Sequence, residues 1–224
     1  MNPERRLTFK QLASITLLAA GSPSVLIQHA LAAGNKPISP GLHKIKGDVR
    51  INGRAAQEGQ MINATDTVST GLGAEAIYVI GQDAFLQREN SVVRFGKEAT
   101  QDFFRVVSGK LLSVFGKGEK KLLTPTATIG IRGTGCYIEA ENTRVYFCLC
   151  YGEAELSSLA EPAHTERIVA THHDQPVYIH QDKGRPNMVA ADMINHSDAE
   201  LTLLENLSGR WPPFYGINDY GKPY

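Results

Sequence analysis

Leu122–Leu156, LLTPTATIGIRGTGCYIEAENTRVYFCLCYGEAEL, is the stretch on which the fold of this chain turns. It reads as three short β-strands around two tight Gly turns, rich in β-branched and aromatic residues and without a helical stripe. All three cysteines of the 224-residue sequence lie inside it. Gly130, Gly133 and Gly135 alternate with Ile129, Ile131 and Thr134, which marks a place where the backbone bends or meets another strand closely. The same glycines could suggest a phosphate cradle. Such loops, however, run from a strand into a helix, and here a strand follows.

Outward from this block, turn signals recur between short apolar runs at intervals of roughly 8–12 residues, the mark of an all-β sandwich or roll. Val49–Ile51 is closed by Asn52-Gly53, two residues that tolerate positive φ and favour a hairpin. Ala76–Ile80 is stopped by Gly81-Gln82-Asp83. Phe103–Val107 and Leu111–Phe115 flank Ser108-Gly109-Lys110, which reads as another hairpin. Ile168–His172 and Val177–His180 are strands parted by Asp174-Gln175-Pro176. Near the C-terminus Ser197 and Glu200 form an S-x-x-E capping box, Leu201, Leu204 and Leu207 follow at helical spacing, and Gly209 with Pro212-Pro213 ends the run. The expected fold is all-β: a two-layer sandwich or roll of short strands, with one C-terminal helix over 197–208.

Residues 1–33 read as a signal peptide. Arg5, Arg6 and Lys10 precede a weakly apolar stretch ending in Ala30-Leu31-Ala32, a small-x-small cleavage site, and Arg5-Arg6-Leu7-Thr8-Phe9-Lys10 is similar to a twin-arginine signal. Gly21, Pro23, Gln28 and His29 interrupt the stretch, which argues against a spanning helix. The expectation is an exported, periplasmic bacterial protein with no membrane span after cleavage. Removing that leader leaves 20 basic and 22 acidic residues, a balance unlike that of a nucleic-acid binder. Residues 42–158 form the expected β domain, and 159–224 a C-terminal extension with strands and the helix.

Several fragments together resemble the FecR domain, the periplasmic portion of bacterial iron-dicitrate regulators. They are Gly47-Asp48-Val49 with Gly59-Gln60, Thr70–Ala76, Val107–Leu111, Thr124-Pro125-Thr126-Ala127, Arg132-Gly133-Thr134, and the strand through Phe147, Leu149 and Gly152. The resemblance covers about residues 44–158. It implies a twisted two-layer β module for binding, sensing or structural interaction, with an envelope protein or cell-wall component as the partner class. The anti-sigma segment and membrane span of those regulators are not matched.

Cys148 and Cys150 are one residue apart in a strand, so both thiols point to one face while Phe147 and Leu149 take the other. Their Cα atoms would lie about 6.6 Å apart, near the upper limit for a disulfide. Cys136 sits across a hairpin whose turn lies near Glu141-Asn142-Thr143, opposite Phe147 or Cys148 according to register. Three fates are open for the thiols: a disulfide, an inert buried state, or a soft-metal site for zinc or copper. For the last, Cys148 and Cys150 would be joined by His172 or His173, with Asp174 or a backbone carbonyl orienting the ring. His196 is a further candidate and His180 a weaker one.

No catalytic signature appears: no G-x-S-x-G, H-E-x-x-H, P-loop or dinucleotide fingerprint. Asp83, Glu89, Asp102 and Glu139 are scattered. The reading is therefore a non-enzymatic binding, sensing or interaction module, with a zinc, copper or redox protein as the alternative.

Overall fold

The structure is a computed structural model describing residues 39–98, 101–182 and 186–216. The leader read over residues 1–33 lies outside these. The strands in chain order are β1 Gly41–Lys46, β2 Val49–Ile51, β3 Arg54–Ala55, β4 Thr67–Thr70, β5 Glu75–Ile80, β6 Asp83–Gln87, β7 Ser91–Glu98 and β8 Gln101–Val114. They continue with β9 Glu119–Leu123, β10 Ala127–Ala140, β11 Arg144–Ser158, β12 Thr165–Ala170, β13 Val177–His180 and β14 Met188–Ala190, and the helix α1 is Asp198–Leu207. The described residues are all-β apart from α1, as the alternation predicts.

Fourteen strands make one hydrogen-bonded sheet folded into two layers. Three long strands, β8, β10 and β11, pass through both. In the first layer the order is β1-β5-β6-β8-β10-β11-β13-β14; in the second it is β3-β2-β4-β7-β8-β9-β10-β11-β12. Tyr78, Phe85, Leu111, Ile138 and Phe147 of the first layer meet Val68, Val93, Phe104, Leu122, Ile129 and Leu156 of the second in the main core. Removing such side chains from water supplies the driving force, roughly 1.5–3 kcal/mol for each large one.

Two local readings are corrected. Ser108-Gly109-Lys110 is not a hairpin: β8 runs straight through it. Gly109, at φ +87°, is where the chain kinks from one layer to the other, and a Cβ there would lie 2.2 Å from Ser91 Oγ. Ser91 Oγ accepts from Lys110 N at 2.8 Å and donates to Glu89 O, so the hydroxyl fills the space that glycine leaves. Likewise Gly130, Gly133 and Gly135 make no turns. They lie within the 14-residue β10, whose pairing with β11 slips between Arg132 and Cys136. The strands there are long, and the bend replaces the expected reversal.

The β10–β11 hairpin closes around Asn142-Thr143, with Glu141 N donating to Arg144 O at 2.9 Å. Cys136 therefore opposes Leu149, rather than Phe147 or Cys148, and packs in the main core. All three cysteines are free and buried.

The outer face of the first layer carries a second apolar cluster. Ile77, Val79, Leu86, Leu112, Val114, Tyr137 and Tyr146 are covered by Leu201, Leu203, Leu204 and Leu207 of α1, with Phe214 beside them. Ser197 caps the helix through the reciprocal bonds of a capping box with Glu200. Arg88 ties the start of the helix to the sheet through Glu200 at 2.8 Å and Asn195 O, and Arg210 ties its end through Glu205 and Gln82 O.

Candidate metal centre

The site forms where β11 changes layers. Residues 144–147 of β11 pair with β13 and residues 152–157 with β12, so 148–151 have no strand on that edge. Gly152, at φ +96°, lets the strand bend there; a Cβ would lie 2.6 Å from Thr134 Cγ2. The chain between β12 and β13 crosses the gap, and His173 N donates to Cys150 O at 2.9 Å.

Period-two alternation puts Cys148 and Cys150 on the outer face, opposite Phe147 and Leu149. That face is not open to solvent. The α1 side of the molecule roofs it, and both cysteines are 0% exposed.

Thr171-His172-His173-Asp174 turns by a local device. The Asp174 carboxylate accepts from Thr171 N at 2.6 Å, Thr171 Oγ1 at 2.8 Å and His172 N at 3.2 Å. These bonds hold the Asp174 carboxyl below the usual range against the opposing effect of burial. His173 itself adopts φ +53°, a left-handed conformation that a non-glycine residue holds only when its surroundings over-determine it. His173 Nδ1 thereby reaches to 3.5 Å from Cys148 Sγ. His172 does not reach the sulfurs; its Nε2 lies 2.9 Å from Asp198 Oδ1. Asp174, the expected ring-orienting carboxylate, shapes the turn instead.

His196 completes the cluster from the other side. It precedes the helix cap, stacks on Tyr137 with ring centroids 4.6 Å apart, and places Nε2 at 3.4 Å from Cys150 Sγ and 3.0 Å from His173 Nδ1. The candidate ligand atoms of Cys148, Cys150, His173 and His196 all lie within 4.8 Å of one another, and all four residues are buried. His180 is elsewhere, opposite Arg144 on β13.

Each imidazole is oriented by its far nitrogen. His196 Nδ1 donates to Ile194 O at 2.6 Å, and His173 Nε2 donates to Asp198 Oδ1 at 3.1 Å. Asp198, missed in the sequence, is the first residue of α1, where a carboxylate already has a local reason to sit at the positive end of the helix dipole. Its contact with two histidines across the fold left no signal in the local pattern.

These bonds leave the lone pairs of His173 Nδ1 and His196 Nε2 facing each other, each within reach of one sulfur. A cation at the centre satisfies both nitrogens and both sulfurs at once. Tetrahedral zinc with its usual Zn–S and Zn–N lengths gives S···N edges of about 3.6 Å and N···N edges of about 3.3 Å, within a few tenths of the Cys148–His173, Cys150–His196 and His173–His196 distances. The buried cluster can thus hold a metal ion.

Without a metal the thiols and rings share protons. A hydrogen bond from Cys150 pulls the Cys148 thiol far down against burial, with His173 and His196 adding to it. Burial, then Cys148, pushes Cys150 up. Burial also drives His173 down, but Cys148 and Asp198 outweigh it and the net shift is upward. Cys136 on the core face is pushed out of the ionising range by burial.

Cys148, His173 and Asp198 also stand in the order nucleophile, base and orienting carboxylate. The sulfur of Cys148 has no exposed surface in this arrangement.

No protein-family model matches the chain, and no curated protein matches it. Two crystal structures of a candidate anti-sigma factor from Parabacteroides distasonis are similar to it, each with a TM-score of 0.47 and 13% identity, over 56% of this chain and 59% of that one. The chain therefore spans about three fifths of the length of these neighbours.

Proposed function

We propose that this is an exported periplasmic β module that holds one zinc ion through Cys148, Cys150, His173 and His196. The observation that carries the reading is the convergence of two sulfurs and two lone-pair nitrogens, all buried, within 4.8 Å of one another. Two thiolates and two imidazoles suit zinc, and four protein ligands with no open position suit a structural rather than a catalytic ion. Copper(I) is the competing occupant for soft ligands. The hydrogen bonds to Asp198 and Ile194 O are the outer partners that metal-bound histidines usually have. The twin-arginine-like leader supports the same reading, because that route exports proteins already folded and loaded.

The surrounding module is an interaction or sensing domain, a reading that draws on the resemblance of residues 44–158 to the FecR domain. An envelope protein or cell-wall component is the partner class it implies. No catalytic role is assigned.

The test is metal analysis of the exported, purified protein beside a Cys148→Ser/Cys150→Ser variant. One zinc per chain in the parent and none in the variant supports the reading. One copper per chain reassigns the ion, and no metal in the parent removes the proposal.

A further inference from the structure

We infer that the metal centre latches the C-terminal segment onto the sheet, so that ion binding and docking of α1 are one linked equilibrium; this rests on the metal reading above. The four ligands come from three separate stretches. β11 supplies Cys148 and Cys150, the β12–β13 connection supplies His173, and the segment leading into α1 supplies His196. His196 is followed at once by the cap Ser197 and by Asp198, which accepts from both His172 and His173. Two positions at the head of the helix, His196 and Asp198, are thus built into the site. His196 Nε2 can meet the sulfurs only when the start of α1 lies on the sheet.

The sign of the coupling follows from the same geometry. With an ion present, the docked arrangement satisfies two sulfurs and two nitrogens. With none, the same groups are joined only by the thiol–imidazole contacts at 3.5 and 3.4 Å, which water can replace when His196 is released. The ion therefore favours the docked state, and its removal favours lifting of the segment. Reciprocity then requires that weakening α1's contacts with the sheet weaken metal binding, even through residues that touch no ligand. Leu204 and Leu207 are such residues, packed in the outer cluster with Leu112 and Val114. The face that α1 covers is apolar, so metal occupancy decides whether that face is sealed.

Hydrogen exchange on the full chain, zinc-loaded and after chelation, tests this directly. Exchange across residues 197–208 should slow by between about 5-fold and 150-fold on loading, while the second-layer strands β4 and β7 stay unchanged. Leu204→Ala should weaken zinc affinity by a factor in the same range, with one zinc still bound at saturation. Equal exchange across 197–208 in the two forms, with zinc binding confirmed, overturns the latch and leaves the metal reading standing. Exchange that rises evenly through β4, β7 and α1 on chelation also overturns it, because the ion would then hold the whole fold. A chain that takes up no zinc overturns both.

Discussion

His173 Nδ1 and His196 Nε2 face each other at 3.0 Å, each on a ring whose other nitrogen already donates a hydrogen bond. Neither nitrogen has a proton to offer while its ring is neutral. The pair is repulsive on its own, and it is relieved either by protons shared with the Cys148 and Cys150 sulfurs or by a cation between the rings. The sulfurs of Cys148 and Cys150 complete the shell, at 3.5 and 3.4 Å from these nitrogens.

Asp198 orients His173 without touching the ion, so it acts as a positioning residue. Asp198→Asn should weaken zinc binding about 10- to 100-fold, with one zinc still bound at saturation. Competition against a chelator of known affinity reads the change, and an affinity equal to the parent's would show that the carboxylate serves only the helix cap.

Cys136 faces the main core, apart from Cys148 and Cys150. Cys136→Ala should therefore leave zinc stoichiometry unchanged and lower stability by about 1 kcal/mol, from lost burial and a small cavity. Loss of zinc in this variant would place the thiol in the centre.

The metal-free protein should carry one thiolate per chain at neutral pH, on Cys148, visible as ultraviolet thiolate absorbance. Its stabilisation is complete above the ordinary thiol value and is lost as pH falls through the depressed native value. The His173 contribution is complete below the ordinary imidazole value and is lost as pH rises through the raised one. The thiolate signal should vanish in Cys148→Ser and persist in Cys136→Ala. A signal that persists in Cys148→Ser would place the charge on another thiol. Zinc itself should be released as pH falls, because protons compete for all four ligands.

Gly109 carries the change of layer in β8. Gly109→Ala forces a Cβ against Ser91 in a left-handed backbone. It should destabilise by more than about 1 kcal/mol, read as a lowered denaturation midpoint. An unchanged midpoint would mean that β8 does not kink at Gly109.

Much of this was legible in the chain because period two and period 3.6 are local. Alternation placed Cys148 and Cys150 on one face, and the S-x-x-E box located α1. What failed was non-local. Gly109 between two apolar runs looks like a turn until Ser91, from another strand, is seen filling the space above it. Whether Cys136 met Phe147, Cys148 or Leu149 depended on where the hairpin closed, and Asn142-Thr143 was one of several choices. Both faces of β11 are buried over residues 145–151, because the His172-His173 turn and the segment leading into α1 lie over the outer one, so the sulfurs are sealed. Asp198 falls inside the expected helix over 197–208, and its contact with His172 and His173 depends on how α1 docks.

X-ray absorption at the zinc edge of the loaded protein tests the centre most directly. The account predicts two sulfur neighbours at about 2.3 Å and two nitrogen neighbours at about 2.0–2.1 Å, with the sulfur shell lost in Cys148→Ser/Cys150→Ser. A shell of oxygen and nitrogen alone, or one unchanged by removing the two thiols, would contradict it.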